Sequence, residues 1–414
     1  MSGTSSERPR MKRENEIQTD ATRTAARTRA YTNRPRTPVI AGRSRLGPAP
    51  GGLYQHERLD VRSGRTGDSL RMAVPPPPPA RRRPRLVPGG GPLPPGQPRK
   101  TAALPMARAD LHVHTNASIF KYFRAANSHD SYNEPEEVYR LAKARGMDFV
   151  TFSDHDTIEG CLRFQDAHPD LTDFFVSVEV ETYFPRTGHR IHVNVFDLTR
   201  HQHAVIERKR RDIFDLVDYL RAESLLYSAN HLFQSYRMRQ APEDFFATML
   251  NLFDVFEVKN GSMAYQHNAL VEDLLTAAKR KKGSLALVGG SDAHTYPPIA
   301  SVFTMAPGST WREFLDSVRR GECLTWGTEM GFTNVLGDVY RMLGQYYRSV
   351  TDFRNPEFTA REKARHFLLS MASLPIAASG IPAAVLSLNY AKQIALSRNL
   401  KRRFLRKGLA GNDE

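Results

Sequence analysis

Short apolar segments that alternate with helical patterns are the feature that most limits how this chain can fold. Between Ala109 and about Gly321, segments with the apolar content of a strand are followed repeatedly by segments with helical periodicity. The predicted strands are Asp110–His114, Asp148–Ser153, Phe174–Tyr183, Arg190–Phe196, Leu225–Asn230, Asp254–Val258 and Leu285–Gly289. This alternation predicts an α/β fold with a mostly parallel sheet, and about seven strands fit a closed, barrel-like arrangement.

The predicted helices lie between these strands, at Glu136–Arg145, Thr157–Ala167, His203–Glu223, Pro242–Leu250 and Met263–Lys281. Asn133 is a candidate N-cap of the first helix, and Pro135 suits its first turn. In β/α folds of this kind, active-site residues collect at the C-terminal ends of the strands. Polar side chains at those ends are therefore the first candidates for a functional site.

The two ends of the 414-residue chain differ from this central region. Residues 1–107 are rich in Arg, Pro, Gly, Ser and Thr, a composition that cannot bury enough apolar surface to offset the entropy of ordering. We predict a disordered basic tail over residues 1–107, an α/β domain over residues 108–330 and a helical C-terminal extension over residues 331–414. An alternative is that the native protein starts at Met106, so that residues 1–105 are not part of it.

The net charge of +15 belongs to the tail and not to the predicted domain. Residues 1–108 hold 22 Lys and Arg against 7 Asp and Glu, whereas the rest of the chain holds 37 of each. A strongly basic chain is typical of proteins that bind nucleic acid or acidic membrane surfaces. Because the tail has few aromatic residues for stacking on bases, we do not expect nucleic acid as a partner and interpret the tail as solvated.

Residues 367–391 form a segment without a charged side chain, and a basic stretch that includes Arg398 and Lys401 follows it. A membrane-spanning helix needs about 20 mainly apolar residues, so the length suffices. Pro375 and Gly380 interrupt the segment, which favours an interfacial or partner-binding role over a spanning helix. The alternative is a helix that packs on the domain or on another subunit.

The chain has two cysteines, Cys161 and Cys323, which are too few for a disulfide framework. The N-terminus has no apolar stretch of the kind that a secretory signal peptide contains. We therefore expect a cytoplasmic location. Membrane association through residues 367–391 is the alternative.

Histidine and carboxylate side chains recur at or inside nearly every predicted strand. His112 and His114 are two residues apart on a strand, so their imidazoles point to the same side and can meet one metal ion. Glu179 lies inside an apolar run, where a carboxylate is costly to bury without a partner such as a cation. The remaining candidates are Asp154, His155, His192, His231, Asp292 and His294. Any one of them alone is best explained as a core or loop residue, but their recurrence predicts a site for Zn, Mn or Fe.

These segments resemble the PHP family, the polymerase and histidinol phosphatase superfamily. The resemblance covers roughly Ala109 to Gly327. It rests on the motifs Asp110–Thr115, Ser153–Thr157, Glu179, His192, His231 and Gly290–His294. It implies a distorted seven-stranded β/α barrel, two or three divalent metal ions and the hydrolysis of phosphate esters.

The resemblance also implies a role for each candidate ligand. A first metal ion would be held by His112, His114, Glu179 and Asp292. Glu179 would bridge to a second ion held by His192 and His231, and His155 and His294 would face a third position. Family members usually have Asp or His after the serine that follows the His-x-His motif, but here Ser118 is followed by Ile119 and Phe120. His129 or Asp130 could replace that ligand, so the third ion stays open.

We therefore predict metal-dependent hydrolysis of a phosphate ester by a metal-activated water in a multinuclear His/Asp/Glu site. Asp154, His155 and His294 are the predicted catalytic residues, Asp154 as an orienting or proton-handling group and either histidine as a proton donor to the leaving group. Asn260, at the end of another strand, is predicted to bind the substrate, a phosphorylated small molecule. Two alternatives remain, a non-catalytic PHP-like binding or regulatory module and a membrane-associated enzyme that acts on envelope or lipid-linked phosphates.

Overall fold

The computed structural model describes residues 104–118, 129–351 and 359–408. The predicted tail lies almost entirely outside the described residues, as do Ile119 and Phe120. Strands and helices alternate through the central region, which confirms the α/β class. The strands are β1 (Met106–Ala109), β2 (Ser177–Tyr183), β3 (Arg190–Phe196), β4 (Leu226–Asn230), β5 (Val255–Asn260), β6 (Ala286–Gly290), β7 (Val302–Pro307) and β8 (Leu324–Gly327). The helices of this region are α1 (Pro135–Ala144), α2 (Glu159–Ala167), α3 (Arg200–Lys209), α4 (Ile213–Ala222), α5 (Pro242–Leu252), α6 (Tyr265–Lys282) and α7 (Trp311–Arg319).

Five strands form one mixed sheet in the order β2-β3-β4-β5-β6. The β2–β3 and β3–β4 pairs are antiparallel, and the β4–β5 and β5–β6 pairs are parallel. A second sheet has the order β1-β7-β8 and is antiparallel throughout. The ladders of the described residues do not close into a barrel, so the predicted seven-stranded barrel is not confirmed.

Two predicted strands, at residues 110–114 and 148–153, form only isolated parallel bridges with their neighbours, such as Val113 to Ala293 and Val150 to Phe174. Side chains take over part of the backbone hydrogen bonding that a ladder would provide. The hydroxyl of Ser153 accepts from the Val113 amide at 2.9 Å. This explains why the local strand pattern is present while the regular ladder is absent at these residues.

The predicted helix His203–Glu223 is wrong as a single element, because α3 ends at Lys209 and α4 begins at Ile213. Asp212 has extended backbone angles, and its carboxylate accepts from the Phe214 amide at 2.9 Å. A side chain that caps a helix N-terminus in this way satisfies an amide without a partner inside the helix and fixes a new start.

Alternation along β2 and β3 separates the core from the candidate site. Val178 and Val180 of β2 and Val193 of β3 are buried in the larger apolar cluster of the domain. Successive side chains of a strand point to opposite faces. Glu179 and His192 are therefore held on the other face, where the site is built.

Three further helices follow the central region, α8 (Phe332–Thr351), α9 (Ala360–Ala378) and α10 (Ile381–Arg406). The end of α10 is fixed to the domain by ion pairs of Lys401 with Asp273 and of Arg403 with Glu243, each at 2.8 Å. Among the described residues no single helix has the length and apolar content to cross a membrane. Residues 363–378 of α9 and α10 pass that test only as a pair, bent by 65°.

Candidate metal centre

The predicted histidine and carboxylate side chains converge at one place in the structure. They form four overlapping groups in which the potential ligand atoms all lie within 4.8 Å of one another. The groups are His112 with His114 and Asp292, His112 with Glu179 and His231, His155 with Glu179 and His192, and His114 with His155 and His294. All of the predicted metal ligands therefore belong to at least one group, although they come from segments far apart in sequence.

Glu179 lies at the centre of these groups. Its Oε1 atom is 3.3 Å from Nε2 of His112, 3.2 Å from Nδ1 of His192 and 3.1 Å from Nε2 of His231. Burial favours the neutral acid, but His112, His192 and His155 hold the pKa of Glu179 well below its usual range. The carboxylate is thus an anion that faces several imidazoles at once, as a bridging ligand would.

Asp292 is a second carboxylate that faces both imidazoles of the His-x-His motif. Its Oδ1 atom is 3.3 Å from Nε2 of His112 and 3.2 Å from Nε2 of His114. The backbone of Asp292 is in the left-handed region, with φ of 51°, which non-glycine residues adopt rarely and Asp more readily than most. The Asp292 amide donates to the carbonyl of His112 at 2.6 Å, which ties the two segments together.

The geometry of these atoms fits a metal ion. Among the described residues, Nε2 of His112 and Nε2 of His114 are buried and have no hydrogen-bond partner, although carboxylate oxygens lie 3.2–3.3 Å away. Neighbouring ligand atoms about 2.0–2.2 Å from one ion, at tetrahedral to octahedral angles, are about 2.8–3.6 Å from one another. The donor set of imidazoles and carboxylates is also the one that Zn, Mn and Fe accept.

The two histidines of the motif differ in their electrostatic surroundings. Burial opposes protonation of His112, but Asp292, Glu179 and Glu257 raise its pKa well above the ordinary value. Burial and the neighbouring His294 lower the pKa of His114 to about 3. The carboxylates around His112 therefore favour a positive charge at this point, and a cation could supply it in place of the proton.

Glu257, which was not among the predicted residues, contacts two of the predicted ligand residues, His112 and His231. Its Oε1 atom is 2.8 Å from Nδ1 of His112, and its Oε2 atom accepts from the His231 amide at 2.9 Å. A histidine that binds a metal usually donates its other ring N–H to such a carboxylate, which fixes its tautomer. The signal in the sequence was the same as for Glu179, a carboxylate inside the apolar run of β5.

Asn260, predicted to bind substrate, is buried and contacts two carboxylates of the centre. Its Nδ2 atom donates to Oε2 of Glu257 at 3.0 Å and to Oδ2 of Asp292 at 3.2 Å. These contacts give Asn260 a supporting place beside the site. Its contact with substrate stays a prediction.

Asp154, predicted to be catalytic, holds the loop after the His-x-His motif. Its carboxylate accepts from the backbone amide and from the hydroxyl of Thr115, both at 2.6 Å. Burial raises the pKa of Asp154 to about 6. Asp154 belongs to none of the four ligand groups found among the described residues, and its role in proton handling stays a prediction.

Of the two residues that the sequence left open for the third position, His129 and Asp130, the structure places the Asp130 carboxylate beside His155. Asp130 is buried, and its Oδ2 atom is 3.3 Å from Nε2 of His155. Burial works against ionisation of Asp130, but His155, His294 and His114 lower its pKa. Asp130 thus supplies the negative charge that the residues after Ser118 lack.

His155 and His294 differ from the other ligands in exposure. Their side chains are 21% and 23% exposed, against 1% for His112 and 0% for His114. Burial opposes protonation of His155, but Glu179 and Asp130 raise its pKa to about 10. These two histidines therefore form the accessible rim of the centre.

Comparison with known proteins gives a family match in the part of the chain that contributes Asp292 and His294. A family model described as PHP-associated matches residues 276–323. An uncharacterized protein from Methanocaldococcus jannaschii is 40% identical over 53 residues, which are 13% of this chain and 31% of that protein. The chain thus matches about a third of the length of this relative.

Two solved structures are similar to the chain. One is a two-domain protein from Bacteroides vulgatus that contains a predicted PHP-like metal-dependent phosphoesterase. It is 15% identical with a TM-score of 0.38, and the match covers 60% of this chain and 75% of that one. The other is an amidohydrolase from Chromobacterium violaceum with bound sulfate and no metal, 17% identical with a TM-score of 0.37 over 51% of this chain and 97% of that one. Over residues 276–323, the segment that contributes Asp292 and His294, the chain is therefore similar to a PHP-associated family.

Proposed function

We propose that this protein is a metal-dependent hydrolase of phosphate esters. The observation that carries the proposal is the convergence of the predicted ligands into four overlapping groups that share Glu179, His112, His114 and His155. When bound, two or three divalent ions (Mn, Zn or Fe) would bind phosphate oxygens and lower the pKa of a water molecule. His112, His114, Glu179 and Asp292 would hold one ion, and Glu179 with His192 and His231 a second.

The residues of the chain have separate tasks in this proposal. Glu257 orients His112 and the backbone at His231, and Asn260 orients Asp292. His155 and His294 lie at the accessible rim, where either could donate a proton to the leaving oxygen of the substrate. If a third ion binds, Asp130, His155 and His294 would hold it, and the proton would have to come from elsewhere.

We also propose that the central region is a distorted seven-stranded barrel. The isolated parallel bridges support it, because they join Ala109 to Phe149 and Val150 to Phe174 on one side and Val113 to Ala293 on the other. Together with the ladder from β2 to β6, these bridges link seven segments in a ring. In such a barrel the site would lie at the C-terminal ends of the strands.

Chelation and reloading test the function directly. Full-length protein is stripped with a chelator and reloaded with Mn²⁺, Zn²⁺ or Fe²⁺, and phosphate release is measured from an aryl phosphate and from a panel of phosphorylated metabolites. We expect release only after reloading. The Asp292→Asn variant should be inactive, and Asp254→Asn should be active, because the Asp254 side chain is 61% exposed and pairs with Lys282.

Activity that survives chelation, or an active Asp292→Asn variant, would contradict the proposal. A protein that binds metal tightly but releases phosphate from no compound of the panel would instead favour the alternative, a PHP-like binding or regulatory module. The metal content of each sample, measured before the assay, separates failure to load from failure to hydrolyse.

A further inference from the structure

The helix α9 has a polarity opposite to that of an ordinary surface helix. Its buried positions are polar, since His366 and Ser370 are almost completely shielded from solvent. The hydroxyl of Ser370 is 2.8 Å from that of Tyr346, and the hydroxyl of Ser373 is 2.9 Å from that of Tyr347, so α9 contacts α8 through polar groups. Phe367 is half-buried, whereas five large apolar side chains of α9 are exposed instead: Leu368, Leu369, Met371, Leu374 and Ile376.

The exposed apolar surface of α9 covers most of the helix circumference. Successive residues of an α-helix are about 100° apart. Measured from Ser370, the exposed apolar side chains are Leu374, Met371, Leu368, Ile376 and Leu369, at about 40°, 100°, 160°, 240° and 260°. They span an arc of about 220°, whereas a helix that packs on one protein face needs an apolar stripe of about 100°. A second copy of the chain would cover only part of this arc, while lipid would surround it.

The apolar surface continues past the bend into α10. Ile381, Val385 and Leu388 are exposed, and α10 has no charged side chain before Lys392. Because the two helices are bent by 65° at Gly380, their apolar parts form the two arms of an open angle. With this shape both helices can lie at the boundary between the headgroups and the acyl chains of one leaflet, where interfacial helices bury their apolar faces.

The charged residues around α9 and α10 indicate which kind of membrane surface the helix pair would bind. Residues 363–412 contain no Asp or Glu. The cations lie on both sides of the apolar stretch: Lys363 and Arg365 before it, and Lys392, Arg398, Lys401, Arg402, Arg403, Arg406 and Lys407 after it. Lys401 and Arg403 pair with acidic residues of the domain, and the exposed Arg398 and Arg402 do not belong to those pairs. Basic side chains beside an apolar segment are attracted by the negative charge of acidic lipids.

We infer that the bent pair α9–α10 is a membrane-docking surface that inserts its apolar side into a bilayer containing anionic lipids. The contacts of α10 with α5 and α6 would hold the domain at the bilayer surface. The inference goes beyond the proposed function and does not depend on it, because docking requires neither bound metal nor hydrolysis.

Vesicle flotation of the full-length protein tests the inference. The vesicles contain phosphatidylcholine alone or phosphatidylcholine with phosphatidylserine. The test variant is the double substitution Leu368→Ser and Leu388→Ser, and the control is Met238→Ser. Met238 and Leu368 are both 68% exposed, but Met238 lies outside the helix pair. Since these side chains are not in the core, all variants should keep the circular dichroism and thermal unfolding of the wild type.

We expect the wild type and Met238→Ser to float with vesicles that contain phosphatidylserine, and more weakly with phosphatidylcholine alone. The double variant should bind about tenfold to a hundredfold more weakly, because a leucine buried in an apolar phase contributes on the order of a factor of ten. A second variant, Arg398→Gln with Arg402→Gln, should lose mainly the preference for phosphatidylserine. It serves as the test if the leucine variant does not fold.

Three results would overturn the inference. The first is a wild-type protein that does not float with phosphatidylserine vesicles. The second is equal binding by the wild type, the leucine variant and the arginine variant. The third is a dimer in analytical ultracentrifugation that the leucine variant abolishes, without vesicle binding, since it would assign the surface to a second copy of the chain.

Discussion

Replacing Glu257 with glutamine should lower the affinity of the centre for metal ions, although none of the proposed metal ligands is changed. The carboxylate accepts three times: from Nδ1 of His112 at 2.8 Å, from the His231 amide at 2.9 Å and from Nδ2 of Asn260 at 3.0 Å. A glutamine of the same shape has one oxygen and one amino group in place of the two oxygens. It can therefore satisfy only part of this set.

Both orientations of the new amide lose something specific. If its oxygen faces the His231 amide and Asn260, its amino group faces Nδ1 of His112 and favours the tautomer that carries the proton on Nε2. Nε2 is the nitrogen directed at the metal, so this tautomer cannot bind it. If the oxygen faces His112, the amino group opposes two buried donors, which costs about 1–3 kcal/mol.

We expect metal affinity to fall about 10–100-fold, the usual effect of losing a supporting partner. Competition between the protein and a chromophoric chelator for Zn²⁺ measures this affinity. Glu159→Gln is the matched control, because Glu159 is exposed and pairs with Arg200 at the surface. Unchanged affinity and unchanged hydrolysis in Glu257→Gln would refute the reasoning, since the carboxylate would then have no orienting role.

Three further outcomes are expected. Asp130→Asn should lower the bound metal by the ion of the third position alone, as metal analysis of loaded protein would show; an unchanged content would remove Asp130 from the site. Gly160→Ala should lower the melting temperature and weaken metal binding, because a Cβ there would lie 2.3 Å from Oδ2 of Asp154. The control is Gly344→Ala in α8, which has open space around it and should be neutral or slightly stabilising. Equal effects of the two substitutions would argue against the clash. Burial raises the pKa of Cys161 to about 12, so its contribution to stability is complete below the ordinary thiol pKa near 9 and is lost as the pH rises towards 12. Denaturant unfolding should therefore show stability falling less steeply above pH 9 in Cys161→Ala than in the wild type, and identical slopes would contradict the assigned pKa.

The sequence was sufficient to predict those site residues that a pattern of a few neighbouring residues reveals. His112 and His114 share a side because of the two-residue period of extended chain, and Glu179 stands out because an unpaired carboxylate is costly inside an apolar run. These rules need only a few neighbouring residues. They apply equally to Glu257, which the same reasoning could have found in β5.

Only the tertiary structure decided the features that depend on distant partners. Asp130 lies beside His155, a contact between two separate segments that no local pattern specifies. The break between α3 and α4 depends on whether the Asp212 side chain caps a helix or faces solvent. The segment 110–114 lacks a ladder because side chains such as Ser153 take its amides.

The C-terminal extension shows the same division. Its composition already indicated an uncharged segment followed by cations, with proline and glycine interruptions. Which side of each helix is covered could not be read from composition, because the alternating serines and leucines are compatible with either side facing the protein. The fold turned the serines of α9 towards the tyrosines of α8, where their hydroxyl groups find partners, and left the leucines outside.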